Sequence, residues 1–373
     1  MNLKAEILVV GAGMAGASLA AEIAGDASVI ILEEESHPGY HSTGRSAAFW
    51  SESYGGPLVQ PLTTASGAFF ASPPADFHDD SFLSPRGAIH IADAAGEPVL
   101  EDMRREFEET AVAMEPLTRS PMEQIIPGLK TGWDSGLYER SCADIDVAAL
   151  HAAYLKAARA RGARLLTDCA LERAERSASG WRIDTSQGAI AAAIIVDAAG
   201  AWADEVARRA GEAPLGIRPY RRTIAQLRID PPARADLPLV IDALGRFYFK
   251  PETGGRLWLS PHDETACDPC DCAPEEYDVA LAIDRLDQAV DWRVERVEHS
   301  WAGLRSFAPD RLPVYGFAPG ARDFFWFAGQ GGFGIQTAPA AAKLGASMLL
   351  GQPPHPMVAG IDPTPYLAER FTN

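Results

Sequence analysis

The hydrophobic and polar positions of the first forty residues follow a strand, helix, strand pattern. The continuous apolar run Ile7–Val10 predicts a buried strand, and the small-residue segment Met14–Ala24 predicts a helix. A second apolar run over Val29–Leu32 predicts another buried strand, since parallel strands that are covered on both faces have no polar alternation. Together these segments predict a βαβ unit.

Three glycines join the first strand to the helix as Gly11-x-Gly13-x-x-Gly16, and Glu33 follows the second strand. Gly11 permits a tight turn, Gly13 lets backbone amides approach a pyrophosphate, and Gly16 allows helix and strand to pack closely. An acid about 20 residues beyond the glycines is placed to accept hydrogen bonds from a ribose, and it disfavours a 2′-phosphate. We interpret the unit as a dinucleotide-binding fingerprint; the alternative is an ordinary strand-to-helix turn.

Related patterns along the chain indicate two interleaved domains. Further strands are predicted over Ala88–Ala92, Arg164–Thr167, Trp181–Thr185, Ala189–Val196 and the aromatic segment that begins at Phe324. Further helices are predicted over Glu97–Ala111, Asp146–Ala160 and an alanine-rich segment that ends near Leu350. Aromatic strand signals between residues 215 and 307 favour an antiparallel sheet. The predicted fold class is α/β, with a doubly wound Rossmann-like domain and a smaller α+β domain with an antiparallel sheet.

Composition and charge narrow the class of protein. The chain has 373 residues, of which 47% are hydrophobic. A chain of this size is usually too large for one hydrophobic core, so we expect two domains. A formal net charge of −18 without any basic run disfavours nucleic acid and anionic membranes as partners. No apolar run reaches the roughly 18 residues that span a bilayer, and the fingerprint leaves no room for a signal peptide. We therefore predict a cytoplasmic protein without a transmembrane segment.

The five cysteines are an odd number, which fits a reduced compartment better than a disulfide framework. Cys267, Cys270 and Cys272 lie close together in the sequence, as the ligands of a metal knuckle do. A structural zinc site needs a fourth ligand, for which His262 and Asp263 are the nearest candidates. Because the segment is rich in aspartate and proline, we predict a solvated loop with incidental thiols and no metal.

Other segments carry distinctive small, aromatic and basic residues: His41–Ala48, Val196–Trp202, Trp301–Phe307, Pro309-Asp310 and Gly329–Gly334. With the fingerprint, they resemble the FAD-dependent D-amino-acid oxidase and glycine oxidase superfamily. Their order and spacing are most similar to bacterial D-arginine dehydrogenase-like D-amino acid dehydrogenases. The resemblance covers nearly the whole chain. It implies noncovalent FAD, a discontinuous FAD-binding domain over residues 1–84, 142–214 and 308–373, and a substrate-binding domain over 85–141 and 215–307.

The resemblance also implies which residues hold the cofactor. The expected FAD contacts are Gly11, Gly13, Met14, Ala15, Gly16, Glu33, His41, Ser42, Thr43, Arg45, Ser46, Ala47, Ala48, Ala170, Leu171, Ala199, Gly200, Trp202, Gly303, Arg305, Gly331, Gly332, Phe333, Gly334, Ile335 and Gln336. We expect helix N-terminal amides at 332–336 to stabilise the negative charge that reduction places on the flavin. A simple helix start is the alternative interpretation.

The oxidation of an α-amino acid requires an anchored carboxylate, so that the Cα–H bond points at the flavin. The planar fork of an arginine binds a carboxylate in a bidentate manner. The resemblance implies that Arg305 and Arg222 hold the carboxylate. It also implies that Tyr54 and Tyr248 line the pocket and orient the amine. A structural ion pair is the alternative interpretation of Arg305. Of the adjacent Arg221 and Arg222, we expect Arg222 to face the pocket. Further expected pocket residues are Phe49, Ala88, Gly332 and Phe333.

Three departures from the relatives bear on the substrate and on the electron acceptor. Ala88 stands where enzymes of this kind with basic substrates have a carboxylate, and Phe49 stands where the D-arginine dehydrogenase type has a histidine. A buried cation without a partner is costly, so we predict neutral or apolar D-amino acids. The Gly255-Arg256-Leu257 segment lacks the oxygen-activating lysine of sarcosine oxidase-like relatives, which favours a dehydrogenase.

The predicted reaction is FAD-dependent oxidative deamination of a D-amino acid to an imino acid, which water converts to a 2-oxo acid and ammonia. One alternative is an oxidase of glycine, sarcosine or a secondary amine that releases hydrogen peroxide. Another alternative is a dehydrogenase of 2-hydroxy acids. The partners predicted in each case are a small-molecule substrate and an electron acceptor that the sequence does not identify.

Overall fold

The computed structural model describes residues 3–178 and 180–372. Its α-helices are α1 (Met14–Ile23), α2 (Gln60–Ala71), α3 (Glu97–Glu106), α4 (Arg119–Ile125), α5 (Val147–Ala160), α6 (Ala203–Arg209), α7 (Glu276–Ala289) and α8 (Ala338–Leu350). Its strands, in chain order, are β1 (Leu3–Val10), β2 (Val29–Leu32), β3 (Phe49–Trp50), β4 (Leu83–Pro85), β5 (Ala88–Ala92), β6 (Met114–Thr118), β7 (Ser135–Glu139), β8 (Ala143–Ile145), β9 (Arg164–Leu166), β10 (Leu171–Ser177), β11 (Gly180–Thr185), β12 (Gly188–Asp197), β13 (Arg218–Asp230), β14 (Leu239–Asp242), β15 (Tyr248–Glu252), β16 (Arg256–Ser260), β17 (Thr265–Ala266), β18 (Arg293–Phe307), β19 (Val314–Phe317), β20 (Phe324–Ala328) and β21 (Gln330–Gly331).

The first sheet has a parallel centre in the order β12-β1-β2-β9, with β20 parallel to the end of β12. Antiparallel β10, β11 and β19 extend it. Both faces are covered: Val9 and Ile31 lie in the core formed with α1, α5 and α8, whereas Leu8 and Leu32 lie in the core formed with α6. Burial on both faces explains why β1 and β2 have no polar alternation.

The second sheet is antiparallel apart from one parallel pair, and its strand order is β21-β18-β13-β16-β15-β14-β5-β7-β6. The parallel pair joins β5 to β14, which come from distant parts of the chain. A short third sheet has the order β3-β8-β4. The strands of the first sheet all come from residues 3–32, 164–197 and 314–328. The segment Gly329–Gly334, here called the second glycine loop, follows β20 of the first sheet and contains β21, which pairs with β18 of the second sheet. This loop therefore connects the two sheets.

Most predicted elements lie at their expected positions, and α3 is the clearest difference. It ends at Glu106 instead of continuing to Ala111. The hydroxyl of Thr110 donates to the carbonyl of Phe107, a local bond that competes with helix continuation. Within the described residues, no helix is both long and apolar enough to span a bilayer.

Candidate active site

A deep cavity opens at the carboxyl ends of β1 and β2, where the first glycine turn meets α1. Gly11 has a φ of +100°, and a Cβ on it would lie 2.5 Å from the carbonyl oxygen of Ala198. A Cβ on Gly16 would lie 1.9 Å from the carbonyl oxygen of Gly11. These two positions therefore require glycine, one for the turn and the other for the contact between helix and turn.

The polar groups of this cavity suit a dinucleotide. The amides of Gly13 and Ala15, which line the cavity at the start of α1, have no hydrogen-bond partner among the described residues. Free amides at a helix N-terminus bind phosphate oxygens. The Glu33 carboxylate is fixed by the Ala12 amide at 3.0 Å and the Glu35 amide at 3.0 Å, and it faces the same cavity. The residues present thus fit a pyrophosphate with an adjoining ribose.

Most of the expected cofactor residues lie together in this cavity. Those that line it are Gly11, Gly13, Met14, Ala15, Glu33, His41, Ser42, Thr43, Ser46, Ala170, Leu171, Ala199, Gly200, Trp202, Arg305, Gly331, Gly332, Gly334 and Ile335. Glu35, Tyr40 and Asp271 also line the cavity and were not predicted. Asp271 comes from the cysteine-containing loop, and no motif connects it with the fingerprint.

Arg45 and Gly303 do not line the cofactor cavity, contrary to expectation. The guanidinium of Arg45 donates to the carbonyl oxygens of Cys272 at 2.9 Å and Ala302 at 3.3 Å, and it forms an ion pair with Asp271. Gly303 lies beside it, since a Cβ on Gly303 would be 3.2 Å from the Cβ of Arg45. Arg45 therefore holds the loop over residues 267–272 against β18, because the Cys272 carbonyl and the Asp271 carboxylate of the loop and the Ala302 carbonyl of β18 all accept from its guanidinium.

Five other expected cofactor residues also lie elsewhere. Gly16 contacts the glycine turn from the helix side, and Phe333 packs in an apolar cluster with Val59 and Phe307. For Phe333 this also corrects the expectation of a pocket position, because burial of the ring in that cluster turns it away from the cavity. The remaining three, Ala47, Ala48 and Gln336, line a second, neighbouring cavity instead.

The second glycine loop is not the helix start that was predicted. Helix α8 begins at Ala338, and residues 332–337 form turns ahead of it. The turn is closed by the Phe333 amide, which donates to Gln330, and by the Thr337 amide, which donates to Phe333. Any amide stabilisation of the flavin from this loop must therefore come from turn amides such as those of Gly334 and Ile335.

The second cavity adjoins the first and has a volume of about 370 Å³, enough for a small amino acid and its side chain. Four residues line both cavities: Ser46, Arg305, Gly332 and Ile335. Apolar walls come from Phe49, Val99, Met103 and Ile241, among others. A small molecule in this space is thus next to the dinucleotide cavity.

Arg305 lies at the junction of the two cavities and is buried. Its hydrogen bond in the described structure is to the carbonyl of Leu304 at 3.3 Å, and no described acid forms an ion pair with it. Burial and the neighbouring Arg222 lower the pKa of Arg305, although a guanidinium stays charged. The alternative of a structural ion pair is wrong for this residue. A buried cation without a partner is a site for an anionic ligand.

Arg221 and Arg222 point to opposite faces of β13, as neighbours in a strand do. Arg221 pairs with Asp278 at 2.7 Å and with Glu275, away from the cavity. Arg222 lines the cavity, but its Nε donates to the carbonyl of Asp263 at 2.9 Å and it pairs with Glu264 at 3.1 Å. Arg222 faces the cavity as expected, yet it already has partners.

Tyr54, Tyr248 and Phe49 also line the second cavity. The Tyr54 hydroxyl occupies the space that a side chain at 332 would need, since a Cβ on Gly332 would lie 2.0 Å from it. The rings of Phe49 and Tyr54 are in contact, with centroids 5.5 Å apart. Burial raises the pKa of Tyr248, so its phenol is neutral and able to donate a hydrogen bond.

Ala88 is not a pocket residue, contrary to expectation. It is fully buried in a cluster with Leu239 and Tyr248. These larger side chains cover it, and the cavity begins two residues further along β5, at His90. An acid in place of Ala88 would therefore be buried beneath the pocket instead of facing a substrate.

Two histidines in the second cavity were missed by the sequence analysis. His90 Nε2 and His262 Nδ1 are buried and have no hydrogen-bond partner among the described residues. Burial lowers the pKa of His90 to about 4, and burial together with Arg222 lowers the pKa of His262 to about 3. Both rings are neutral near pH 7. The sequence does contain a sign that could have identified His90, because it is the polar residue within the otherwise apolar strand of residues 88–92.

Three acids reach the second cavity, although none belongs to β5. Asp242 is occupied by Arg246, which binds its two oxygens at 2.6 Å and 2.9 Å. Asp102 and Glu106 reach the cavity from α3, which is largely exposed. Among the described residues, the interior therefore has no free acid to meet a cationic side chain. At its edge, Glu106 adds negative charge, whereas Asp102 is paired with Arg105.

The family model DAO, FAD dependent oxidoreductase, matches residues 6–348. The chain belongs to the DAO family. As a member, it is an FAD-dependent oxidoreductase, which confirms the predicted cofactor and enzyme class.

Relatives in this family cover almost the whole chain. A glycine oxidase of Pseudomonas aeruginosa is 28% identical, over 96% of this chain and 97% of that protein. A glycine oxidase of Geobacillus kaustophilus is 26% identical, over 94% of each. The crystal structure of the G. kaustophilus glycine oxidase has a TM-score of 0.86, with 23% identity over 99% of both chains. This likeness confirms the predicted fold class, whereas the D-arginine dehydrogenase-like subtype stays a prediction.

Proposed function

We propose that this DAO-family enzyme oxidises a D-amino acid with an uncharged side chain to the imino acid, which water converts to a 2-oxo acid and ammonia. The observation that carries the proposal is Arg305, a buried cation without an acidic partner at the junction of the two cavities. A substrate carboxylate is the anion of the right size for a planar guanidinium.

The side chains around Arg305 orient the rest of the substrate. The neutral phenol of Tyr248 supplies a donor near the carboxylate, and Gly332 and Tyr54 shape the passage between the cavities. Bound FAD supplies the two-electron acceptor for the hydride that leaves the α-carbon. The apolar wall around Phe49 excludes water from the α-carbon, which keeps the charged contacts strong. The substrate amine loses its proton to water, because no described residue of the cavity is a strong base.

The polarity of the second cavity favours side chains that are uncharged but able to form hydrogen bonds. A cationic side chain finds Asp242 already occupied by Arg246. A second carboxylate is repelled by Glu106 at the edge of the cavity, where Asp102 is already paired with Arg105 at 2.8 Å. A hydroxyl or carboxamide, in contrast, supplies partners to the free nitrogens of His90 and His262. Among the neutral or apolar substrates that the sequence predicts, we therefore favour those with a polar side chain.

A second candidate function is oxidation of glycine or an N-substituted glycine with release of hydrogen peroxide. It is favoured by the names of the relatives, which include the glycine oxidases and a dimethylglycine dehydrogenase of Mus musculus that is 28% identical over 62% of this chain and 29% of that protein. Its carboxylate would bind Arg305 in the same way. The cavity beyond Arg305 would then hold the N-substituent instead of a side chain.

Anaerobic mixing of the purified flavoprotein with amino acids, with the flavin absorbance as the readout, tests the proposal. The panel contains D- and L-amino acids, glycine, sarcosine and 2-hydroxy acids. We expect neutral D-amino acids to bleach the flavin fastest. Bleaching by glycine or sarcosine alone, with hydrogen peroxide formed in air, would establish the second candidate. Bleaching by 2-hydroxy acids alone would contradict both.

A further inference from the structure

The loop of residues 267–272 is fixed at both ends beside the cofactor cavity. It follows β17, which pairs with β13, and the amide of Cys267 donates to the carbonyl of Pro219 at 3.2 Å. At its other end, Arg45 holds the carbonyl of Cys272 and the carboxylate of Asp271. Asp271 also accepts a hydrogen bond from the Tyr40 hydroxyl at 3.1 Å. The segment is a solvated loop, as predicted, since Asp268, Cys270 and Asp271 are exposed, but it is held in a defined position.

This anchoring brings three thiols together. The Sγ atoms of Cys267, Cys270 and Cys272 all lie within 4.8 Å of one another. Thiolates bound to one metal ion at about 2.3 Å are separated by about 4 Å, so small side-chain rotations suffice to bring the three sulfurs into coordination. Cys272 is buried, Cys267 is half-buried and Cys270 is exposed. An ion can therefore enter from solvent on the Cys270 side.

Two arginines lie near the buried thiol. Arg45 donates to the carbonyl oxygen of Cys272 at 2.9 Å, and Arg221 is held by Asp278 at 2.7 Å and by Asp263 at 3.6 Å. Burial raises the pKa of Cys272 to about 12, so this thiol is protonated until a metal ion replaces the proton. Once thiolates are bound to a metal ion, neighbouring cations stabilise their excess negative charge. The positions of the three sulfurs therefore carry the argument, and the arginines are compatible with it.

We propose that Cys267, Cys270 and Cys272 bind one thiophilic d10 cation, Zn²⁺ or Cu⁺. Thiolates select these soft ions, and each cysteine releases its proton to solvent on binding. Three sulfurs complete a trigonal Cu⁺ site, whereas Zn²⁺ takes a water molecule as its fourth ligand. The ion would hold the loop, and with it Asp271, against the cofactor cavity.

The test uses the full-length holoenzyme, reduced and stripped of metal with a chelator. Zn²⁺ is added in competition with a chromophoric chelator, and Cu⁺ is added anaerobically in competition with a Cu⁺-specific ligand. We expect one equivalent of Zn²⁺ or Cu⁺ to bind. Each of Cys267→Ser, Cys270→Ser and Cys272→Ser should weaken binding by at least about a hundredfold. Cys142→Ser, at a buried thiol outside both cavities, is the matched control and should bind like the wild type.

Ultraviolet absorbance with Cd²⁺ as the probe reports whether sulfur is the ligand. The wild type should develop a thiolate-to-cadmium band that saturates at one equivalent and is lost in the three variants. As a readout of the loop, metal binding should slow proteolysis between residues 267 and 274 and lower the Kd of FAD by about tenfold. Failure of the reduced wild type to bind either ion stoichiometrically, or full binding by any single loop variant, would overturn the proposal.

Discussion

The two cavities of this enzyme recognise their ligands by different means. The dinucleotide cavity depends largely on backbone groups near the start of α1, where Gly11 and Gly16 leave no space for a Cβ. The adjoining cavity depends on side chains from separate elements, above all Arg305 of β18 and His90 of β5. Backbone recognition leaves a glycine pattern in the sequence, whereas side-chain recognition leaves single residues that no motif connects. This difference makes the cofactor easier to predict than the substrate.

The largest expected effect comes from adding a side chain at the glycine turn of the dinucleotide cavity. Gly16→Ala places a Cβ 1.9 Å from the carbonyl oxygen of Gly11 and must displace the turn. We expect at least about 3 kcal/mol of destabilisation and loss of most bound FAD. FAD content per protein and the thermal midpoint are the measurements.

Gly25→Ala is the matched control for Gly16→Ala, because nothing lies within 4 Å of a Cβ at that position. It should retain FAD and stability. If Gly16→Ala also retained both, the contact between α1 and the turn would not be what shapes the cofactor cavity.

In the side-chain-built cavity, Arg305→Met should lower kcat/KM at least about 100-fold, because a substrate carboxylate loses its charged partner. The FAD content should change little. Steady-state kinetics with an artificial acceptor and flavin spectra measure the two quantities. Arg296→Met, at an exposed arginine of the same strand, is the control. Turnover within a few-fold of the wild type would place the carboxylate elsewhere.

Buried His90 makes stability depend on pH. Its pKa is about 4 in the folded enzyme and 6.5 in the unfolded chain, so acidification favours the unfolded state, which binds the proton more readily. Stability is lost as pH falls from about 6.5 towards 4. Between pH 7 and pH 5, the wild type should lose about 2 kcal/mol more than His90→Leu, measured by chemical denaturation.

The control for the His90 effect is His299→Leu, at an exposed histidine outside both cavities. It should leave the pH dependence of stability unchanged. An equal loss of stability in the wild type and His90→Leu between these pH values would show that the His90 ring reaches water.

The smallest expected effect concerns the preference of the enzyme for a polar over an apolar substrate side chain. D-asparagine and D-leucine have nearly the same shape, so their kcat/KM ratio reports the hydrogen bonds to His90 and His262. We expect a ratio of about 10 in the wild type, from roughly one hydrogen bond, and a ratio near or below 1 in His90→Leu. A D-leucine preference in the wild type, with rapid flavin bleaching by both, would contradict the polar pocket but not the proposed reaction. A preference for D-aspartate would indicate that the histidines bind anions.

Much of the fold followed from local pattern. The strands over residues 7–10, 29–32 and 88–92 and the helix that begins near Asp146 could be predicted, because apolar runs and caps act within a few residues. The length of α3 could not, because a single side-chain bond from Thr110 competes with it. The start of α8 was misplaced because glycine turns and helix starts share the same small residues.

The sequence by itself determined the dinucleotide fingerprint and the two kinds of sheet. Its resemblance to the family also singled out Arg305 as a candidate for binding the substrate carboxylate. Only the tertiary structure decided that Ala88 is covered, that Arg222 already has partners, and that His90 and His262 lie in one cavity. It also decided that three thiols meet beside Arg45. The physical reason is the distance along the sequence between the residues that interact. A glycine turn depends on neighbouring residues, whereas the pocket depends on β5 and β14, which are about 150 residues apart and pair in one sheet.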